Sequence, residues 1–349
     1  MALNTNKRIF WAVQGAGLAP VGSTSYTKIR ALQTIGMTTT FNLEQLFEIG
    51  QIALFDNIEN LPSVEVTLEK VLDGSPLTYH LATSNATSAS LFARTDKSSM
   101  FTISVFADSS NSASGTPNAQ VTCSGMFVNS LNYTFPVDSR ASESVTLTGN
   151  VKTWASGSFT FQGSIFDNTD GPQSGIIRRQ HVLFGAGSGM SLLPSWSGGG
   201  IPGISHEGYN IESNGKYAAS VQNITISADM GREDLLELGR KNPFFKFIPG
   251  AVEVTTEIEV LTTDGDLVDS TANGTYNGND LLNKQIVVQL SDGSTFNMGK
   301  KNKLTNVQYG GADAGQGNAT CTYSYSTYND LTITHPLDPA GLTQTVTIP

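Results

Sequence analysis

The sequence predicts a mainly β protein with two tandem domains, each a β-sandwich or open barrel carrying one short helix. Of its 349 residues only 14% are charged, while 35 are glycine and 13 are proline. That charged fraction is well below the usual ~25%, and the composition does not fit a coiled coil or a helical bundle. The length predicts two domains, which we place at 1–175 and 176–349 with a Gly-rich connection at about 155–215.

An internal repeat is the strongest single signal in the sequence. Residues 44–51 (EQLFEIGQ) match residues 233–240 (EDLLELGR), with Glu, Leu, Glu and Gly identical at equivalent positions. The tetrapeptide VEVT then occurs at 64–67 and again at 252–255. These identities predict that the chain arose by duplication of one β-rich domain.

Each copy of the repeat is predicted to begin with a short helix. In the first copy Asn42 or Thr40 is a candidate N-cap, and Gln45 follows three residues after Asn42 in a capping-box arrangement. The apolar residues within 43–47 have helical spacing, and Gly50 can end the helix in a left-handed conformation. The second copy supplies a similar apolar segment and ends at Gly239.

A strand is predicted after each helix, because apolar and polar residues alternate with a period of two. The acidic members of the polar faces are Glu65, Glu69, Glu253, Glu257 and Glu259. Such carboxylates could imitate the paired acids of a glycosidase. Their alternate positions in both copies favour a polar face that meets solvent or another subunit.

Several other segments have the pattern of strands or of loops. Strands are predicted at 101–106, 126–135, 143–150, 158–161, 221–227, 286–290 and 331–335. The polar, turn-rich segments 107–120 and 262–280 are predicted to be exposed loops.

Motifs for catalysis, metals and cofactors are missing from the sequence. It has no nucleophile elbow or P-loop, its four histidines lack metal-ligand spacing, and residues 185–189 lack the dinucleotide fingerprint. Cys123 and Cys321 form no CxxC pair, which predicts two partly buried thiols. We therefore expect no enzymatic activity, no cofactor and no metal.

The charge balance disfavours tight binding of nucleic acid. The net charge is −10, and that affinity depends on neutralising phosphates with Lys and Arg. The basic run 300–303 (KKNK) is predicted to be a solvated turn or a salt-bridging edge. No long apolar run indicates a signal peptide or a membrane anchor, so we expect a protein made in a reducing cytoplasm.

Two stretches resemble the tail tube proteins of tailed bacteriophages. The first is 129–138 (NSLNYTFPVD) followed by 141–150 (ASESVTLTGN), with weaker echoes at 305–309 and 313–314. The second is the repeated ELGR-like helix end with its alternating acidic strand.

The resemblance implies a structural subunit that stacks as rings with an inner β-barrel, through which DNA passes without specific binding. An acidic lumen would repel phosphate. A duplicated chain would form a trimeric ring with pseudo-sixfold symmetry. Its partners would be further copies and other tail proteins (an initiator, a terminator and, in a contractile tail, a sheath), in a virion tail assembled in the host cytoplasm.

The charges around the repeated segment are the predicted interface residues: Glu44, Glu48, Arg232, Glu233, Glu237, Arg240 and Lys241. The carboxylates would pair with the cations between subunits, although helix-surface charges explain them equally well. Two other hypotheses stay open. One is a different virion β-sandwich component, such as a tail terminator, decoration or receptor-binding protein. The other is a β-sandwich glycan hydrolase that uses Glu65 or Glu253.

Overall fold

The chain is mainly β, with 63% of its described residues in strands. The computed structural model describes residues 13–21, 26–50, 52–83, 88–90, 97–106, 117–156, 175–183, 221–261, 268, 283–311, 317 and 319–335. The first-half strands are β1 (Val13–Pro20), β2 (Thr27–Lys28), β3 (Leu32–Thr40), β4 (Leu43–Phe47), β5 (Leu54–Glu59), β6 (Ser63–Val71), β7 (Ser88–Ser90), β8 (Ser98–Phe106), β9 (Ala119–Pro136), β10 (Ser142–Gly149) and β11 (Val151–Ser156).

The other strands are β12 (Val182–Leu183), β13 (Val221–Asp229), β14 (Glu233–Leu235), β15 (Phe245–Phe247), β16 (Glu253–Leu261), β17 (Val287–Leu290), β18 (Thr295–Asn297), β19 (Lys303–Gly310), β20 (Thr320–Tyr328) and β21 (Thr332–Thr334). The described residues form one short α-helix, α1 (Thr78–Ala82), and one 3₁₀ turn at Arg179–His181.

Eight strands form a continuous antiparallel sheet in the order β3-β6-β10-β9-β13-β16-β20-β19. The first four strands precede residue 150 and the last four follow residue 220. Within each group of four the spatial order is the first, second, fourth and third strand along the chain. The two copies of the repeat therefore have the same topology and are joined head to tail through β9 and β13.

A second layer covers one side of this sheet. The first half of the long strand β9 pairs with β8 and β11, and β8 pairs with β1. A five-stranded sheet has the order β12-β17-β18-β21-β7, and its Phe296 packs on Tyr133 and Phe135 with ring centroids 4.6 and 5.4 Å apart. One buried cluster includes residues of both copies, so the domain boundary between residues 175 and 176 stays a prediction.

The helix predicted in each copy of the repeat is wrong, because both segments are β-hairpins. Strand β4 pairs with β5, and β14 pairs with β15. The Asn42 amide donates to the carbonyl of Leu61 (2.8 Å) instead of capping a helix. Gly50 and Gly239 are left-handed, with φ of 90° and 89°, but they lie in the hairpin turns. Three apolar residues within five positions are too few to establish a helical period, whereas the returning strand satisfies the backbone of the first.

The other predicted strands are observed where the structure describes the chain: β8, β9, β10, β13, β17 and β21 occupy six of the seven segments. The seventh, 158–161, lies outside the described residues. So do most of the predicted loops 107–120 and 262–280 and most of the Gly-rich connection.

Candidate assembly surfaces

One face of the eight-stranded sheet is open, and its charges are almost all acidic. In β6 and β16 apolar residues are buried on one side while polar residues alternate with them on the other. Within the eight strands, all of which are described, the carboxylates on the open face are Glu65, Glu69, Asp229, Glu253, Glu257 and Glu259. The one cation on this face is Lys303 in β19. The face therefore has a strong net negative charge.

Among the described residues, the two outer strands of this sheet, β3 and β19, each pair along one side only. Their inward residues Ile35, Met37, Leu304 and Val307 are only partly buried. At the internal junction β9–β13, Tyr133 lies opposite Ile226 and both are fully buried. An exposed edge strand is a template for pairing with another chain, so both edges are candidate assembly surfaces.

Hairpin 2 (residues 233–247) packs against the first copy of the repeat. The Phe245 ring meets Phe127 edge to face at 6.1 Å between centroids. Just before the hairpin, the Arg232 guanidinium lies 4.9 Å from the centre of the same Phe127 ring. Its Nε donates to the carbonyl of Val128 at 2.6 Å. The base of hairpin 2 is thus attached to the middle of β9, where the strand changes partners from β8 and β11 to β10 and β13.

An ion pair crosses hairpin 2. Lys246 Nζ lies 2.5 Å from Asp234 Oδ1, and the Lys246 side chain is almost fully buried. A buried ammonium needs such a partner, because leaving it unpaired costs several kcal/mol. A crevice of about 240 Å³ remains beside the hairpin, between Phe244 and Lys246 on one side and Phe127 and Asn150 on the other.

Hairpin 1 (residues 43–59) makes far less contact with its own chain. Every described residue in it is exposed. Leu43 is 56% exposed and Phe55 is 66% exposed, while Ile49 at the tip is fully exposed. A two-stranded hairpin is marginally stable in water, so an exposed apolar hairpin of this kind indicates a surface that another molecule covers.

The predicted interface residues divide between these two hairpins. Glu237 and Arg240 pair with each other across 2.9 Å at the surface of hairpin 2, and Arg232 is engaged by Phe127 and Val128. Glu233, at the base of the same hairpin, and Lys241 are exposed. Glu44 and Glu48 lie on hairpin 1. Ion pairs between subunits stay a prediction for all seven residues.

Glu143 has a buried, hydrogen-bonded carboxylate, a structural role that the sequence analysis missed. It accepts hydrogen bonds from the backbone N–H groups of Thr78 (2.7 Å) and Tyr79 (3.1 Å) and from the Tyr133 hydroxyl (2.8 Å). The carboxylate thereby caps the start of α1, where a negative charge is favourable. The alternation of β10 carries the signal, because Glu143 falls on the same side as the buried Val145 and Leu147.

The basic run at 300–303 forms a turn at the start of β19 that hydrogen bonds tie to the rest of the chain. The buried Asn302 amide donates to the carbonyls of Lys284 (3.0 Å), Met298 (3.1 Å) and Gly299 (3.1 Å). This anchor leaves the side chains of Lys300, Lys301 and Lys303 exposed on the surface.

The opposite end of the sheet carries a cleft of about 900 Å³. Its charged lining residues are Glu69, Asp138, Arg140, Arg178 and Arg179. Arg140 donates to the side-chain oxygen of Gln33 at 3.2 Å. Acids and bases are mixed in this lining, so the cleft has no strong preference for one sign of charge.

Two further features concern the metal-ligating side chains and the cysteines of the described part of the chain. No group of three or more His, Cys, Asp or Glu side chains there could hold a metal ion. Cys123 and Cys321 form no disulfide, and both thiols are fully buried, whereas the sequence predicts partial burial. Burial raises the pKa of the Cys123 thiol to about 11, partly opposed by the charge of Lys152. Among the described helices none is long and apolar enough to cross a membrane.

Comparison with solved structures gives several similar chains, two of which come from the anti-feeding prophage. No protein-family model and no curated protein matches the sequence. A chain of the sixfold-symmetrised anti-feeding prophage baseplate has a TM-score of 0.33 and 14% identity, covering 43% of this chain and 96% of that one. A chain of the tube-terminating cap of the anti-feeding prophage has a TM-score of 0.31 and 13% identity, covering 45% of this chain and 100% of that one.

Proposed function

We propose that this chain is a structural subunit of a phage-tail-like particle and that copies join edge to edge into a closed ring. The main support is the internal junction β9–β13, where the strand at the end of one four-stranded group pairs with the strand at the beginning of the other, in spatial order. The free edges are again a last strand, β19, and a first strand, β3. The same joint can therefore form between copies.

The registers of the sheet define this joint. Thr34 and Thr225 occupy equivalent places, opposite Glu69 and Glu257 respectively. The strand pairings lead from Glu69 across β10 to Asn132 in β9, and from Glu257 across β20 to Asn306 in β19. Asn306 is therefore equivalent to Asn132, and Asn132 lies opposite Ser227. Copying the internal junction then places Asn306 of one subunit opposite Gly36 of the next, and Val307 opposite Ile35. The second pair would bury apolar side chains that are now half exposed.

The open acidic face supports a channel. When the ring closes, the covered side of the sheet faces outward and the open side lines the interior. Six carboxylates per subunit would then surround the lumen, and they would repel the phosphates of passing DNA. Three copies would contribute 24 strands, which correspond to a backbone diameter of about 48 Å at usual strand spacing and tilt. That width would admit duplex DNA, and we propose the trimer on this basis.

Two positions in such a particle are candidates, a tube subunit and a terminator or cap, and they differ in whether the rings stack. A tail tube subunit would stack ring upon ring into a long tube, as the sequence resemblance implies. A terminator or cap would form the same ring without continuing it. The anti-feeding prophage chains similar to this one belong to a cap and a baseplate, which is where this second candidate would place the chain. In neither position do we propose an enzymatic activity.

A cross-link tests the proposed joint. In the full chain, Gly36→Cys with Asn306→Cys places one new thiol on each edge, and a side chain at Gly36 meets only ordinary contacts. We expect oxidation to give covalent oligomers that end at a closed trimer, with either single variant giving at most dimers. Electron microscopy would then show rings or tubes. Monomers alone from the double variant, at high concentration, would contradict the proposal.

A further inference from the structure

We propose that hairpin 1 of one copy docks on the lysine turn (residues 300–303) of the neighbouring copy whose β19 pairs with its β3. Opposite charges would then stabilise each joint of the ring. This inference rests on the proposed ring and assigns it a partner surface. The occupant is a second copy of this chain. Its position, its charge and its exposure each support the assignment.

The position follows from hairpin 2. At the internal junction, Arg232 at the base of hairpin 2 contacts Phe127, Val128 and Asn129. The sheet registers make Ser130 equivalent to Lys303, since they lie opposite Thr146 and Ser326. Strand β9 has a bulge at Asn129, so its Val128 and Phe127 correspond to residues 302 and 301, within the lysine turn. A neighbouring copy joined in the same way would place the base of its hairpin 1 against the lysine turn.

The charges at this position are complementary. Hairpin 1 holds four carboxylates, Glu44, Glu48, Asp56 and Glu59, and no cation. Hairpin 2, which docks within the chain, has three acids and three bases and is neutral. The surface that receives hairpin 2 is the uncharged segment 127–129, whereas the surface that would receive hairpin 1 presents three lysines. The neutral hairpin 2 thus contacts an uncharged surface, and the acidic hairpin 1 would contact a basic one.

The lysine turn is organised to receive a partner. Asn302 ties the turn to three carbonyls of its own chain, so the backbone that presents the lysines has little conformational freedom to lose when a partner binds. Lys300 and Lys301 are exposed. Because the Debye length is about 10 Å at 0.1 M salt, these charges act at contact distance and the joint should weaken as salt rises.

The exposure of hairpin 1 supports a partner of the same kind. Hairpin 2 buries Lys246 and half-buries Asp234 against the first copy of the repeat. The corresponding pair in hairpin 1, Gln45 and Asn57, is exposed. Docking on a neighbour would give hairpin 1 the support that hairpin 2 already has, and would cover its exposed leucines and phenylalanines.

Charge reversal tests the inference in the full chain. We expect Lys300→Glu with Lys301→Glu to raise the concentration for half-assembly by about tenfold or more. Glu44→Lys with Glu48→Lys should do the same, and the four changes together should restore assembly. Arg178→Glu with Arg179→Glu is the matched control, because it makes the same charge change in the cleft at the other end of the sheet. Light scattering and electron microscopy measure assembly.

A second cross-link separates this inference from the proposed ring. Glu44→Cys with Lys301→Cys should give covalent oligomers on oxidation if hairpin 1 docks as proposed. Oligomers from the Gly36/Asn306 cysteine pair together with monomers from the Glu44/Lys301 pair would overturn the inference and leave the ring. Monomers from both pairs would overturn both. Equal assembly of the Lys300/Lys301 reversal and the wild type would also overturn the inference.

Discussion

Hairpins 1 and 2 begin with matching sequences and have the same strand pairing, yet only hairpin 2 packs closely against the rest of its own chain. Hairpin 2 has a nearly buried Lys246–Asp234 ion pair and an aromatic contact to Phe127. Hairpin 1 has exposed polar side chains at the positions of the pair and a surplus of acids. The comparison teaches that the two hairpins share a backbone conformation, while the charge and burial of their side chains differ with the surface that each one contacts.

The largest expected difference concerns the ion pair of hairpin 2. Asp234→Ala leaves the Lys246 ammonium nearly buried without its partner, so we expect the free energy of unfolding to fall by about 2–3 kcal/mol. Gln45→Ala, the equivalent change in hairpin 1, should alter it by no more than about 0.5 kcal/mol. Urea unfolding of the two variants measures both values.

A second substitution tests whether the loss of stability comes from the unpaired charge of Lys246. Adding Lys246→Met to Asp234→Ala removes the stranded charge and should recover part of the lost stability. Equal destabilisation by Asp234→Ala and Gln45→Ala would show that the two hairpins are supported alike, contrary to the comparison.

The next largest effect is expected in hydrogen exchange. In the monomer, amides of β4 and β5 should exchange about tenfold faster than those of β14 and β15, because hairpin 1 lacks packing that opposes local opening. Assembly should slow the exchange of hairpin 1 and leave hairpin 2 nearly unchanged. Mass spectrometry of peptides from the two segments, before and after assembly, tests both statements. Unaltered exchange of hairpin 1 in assembled rings would mean that it stays uncovered.

The smallest effect concerns the ion pair between Arg240 and Glu237. Both side chains are about half exposed, and exposed pairs contribute little. Arg240→Ala should therefore change the free energy of unfolding by less than about 0.5 kcal/mol and leave assembly unaltered. A marked loss of assembly, measured by light scattering, would instead support the sequence-based hypothesis that Arg240 pairs with a neighbouring subunit.

The strands and the repeat could be predicted because they depend on local patterns. Alternation in β6 and β16 determines which residues of each strand are buried, and β10 has the same period. The helix prediction failed because residues 43–47 gain their backbone partners from β5, seven or more positions away in the chain. The strand order and the β9–β13 junction are contacts between distant segments, so no local pattern in the sequence records them.

The candidate surfaces were only partly predictable for the same reason. The acids of the open face and the basic run at 300–303 are visible in the sequence, but their relative positions follow from the sheet registers. Glu143 was missed because a charged residue suggests exposure, whereas its three hydrogen-bond donors come from α1 and β9. A strict period of two through Val145 and Leu147 would have placed it inside.

The number of strands in the open-faced sheet is even, and this parity has a consequence for growth. Since neighbouring strands alternate in direction, β3 and β19 run in opposite directions, and any further copy meets an edge of the correct polarity. Each four-stranded group preserves this parity by itself. Chains with one, two or three such groups would all keep the same antiparallel joint, so gene duplication could change how many chains complete a ring without redesigning the contact between them.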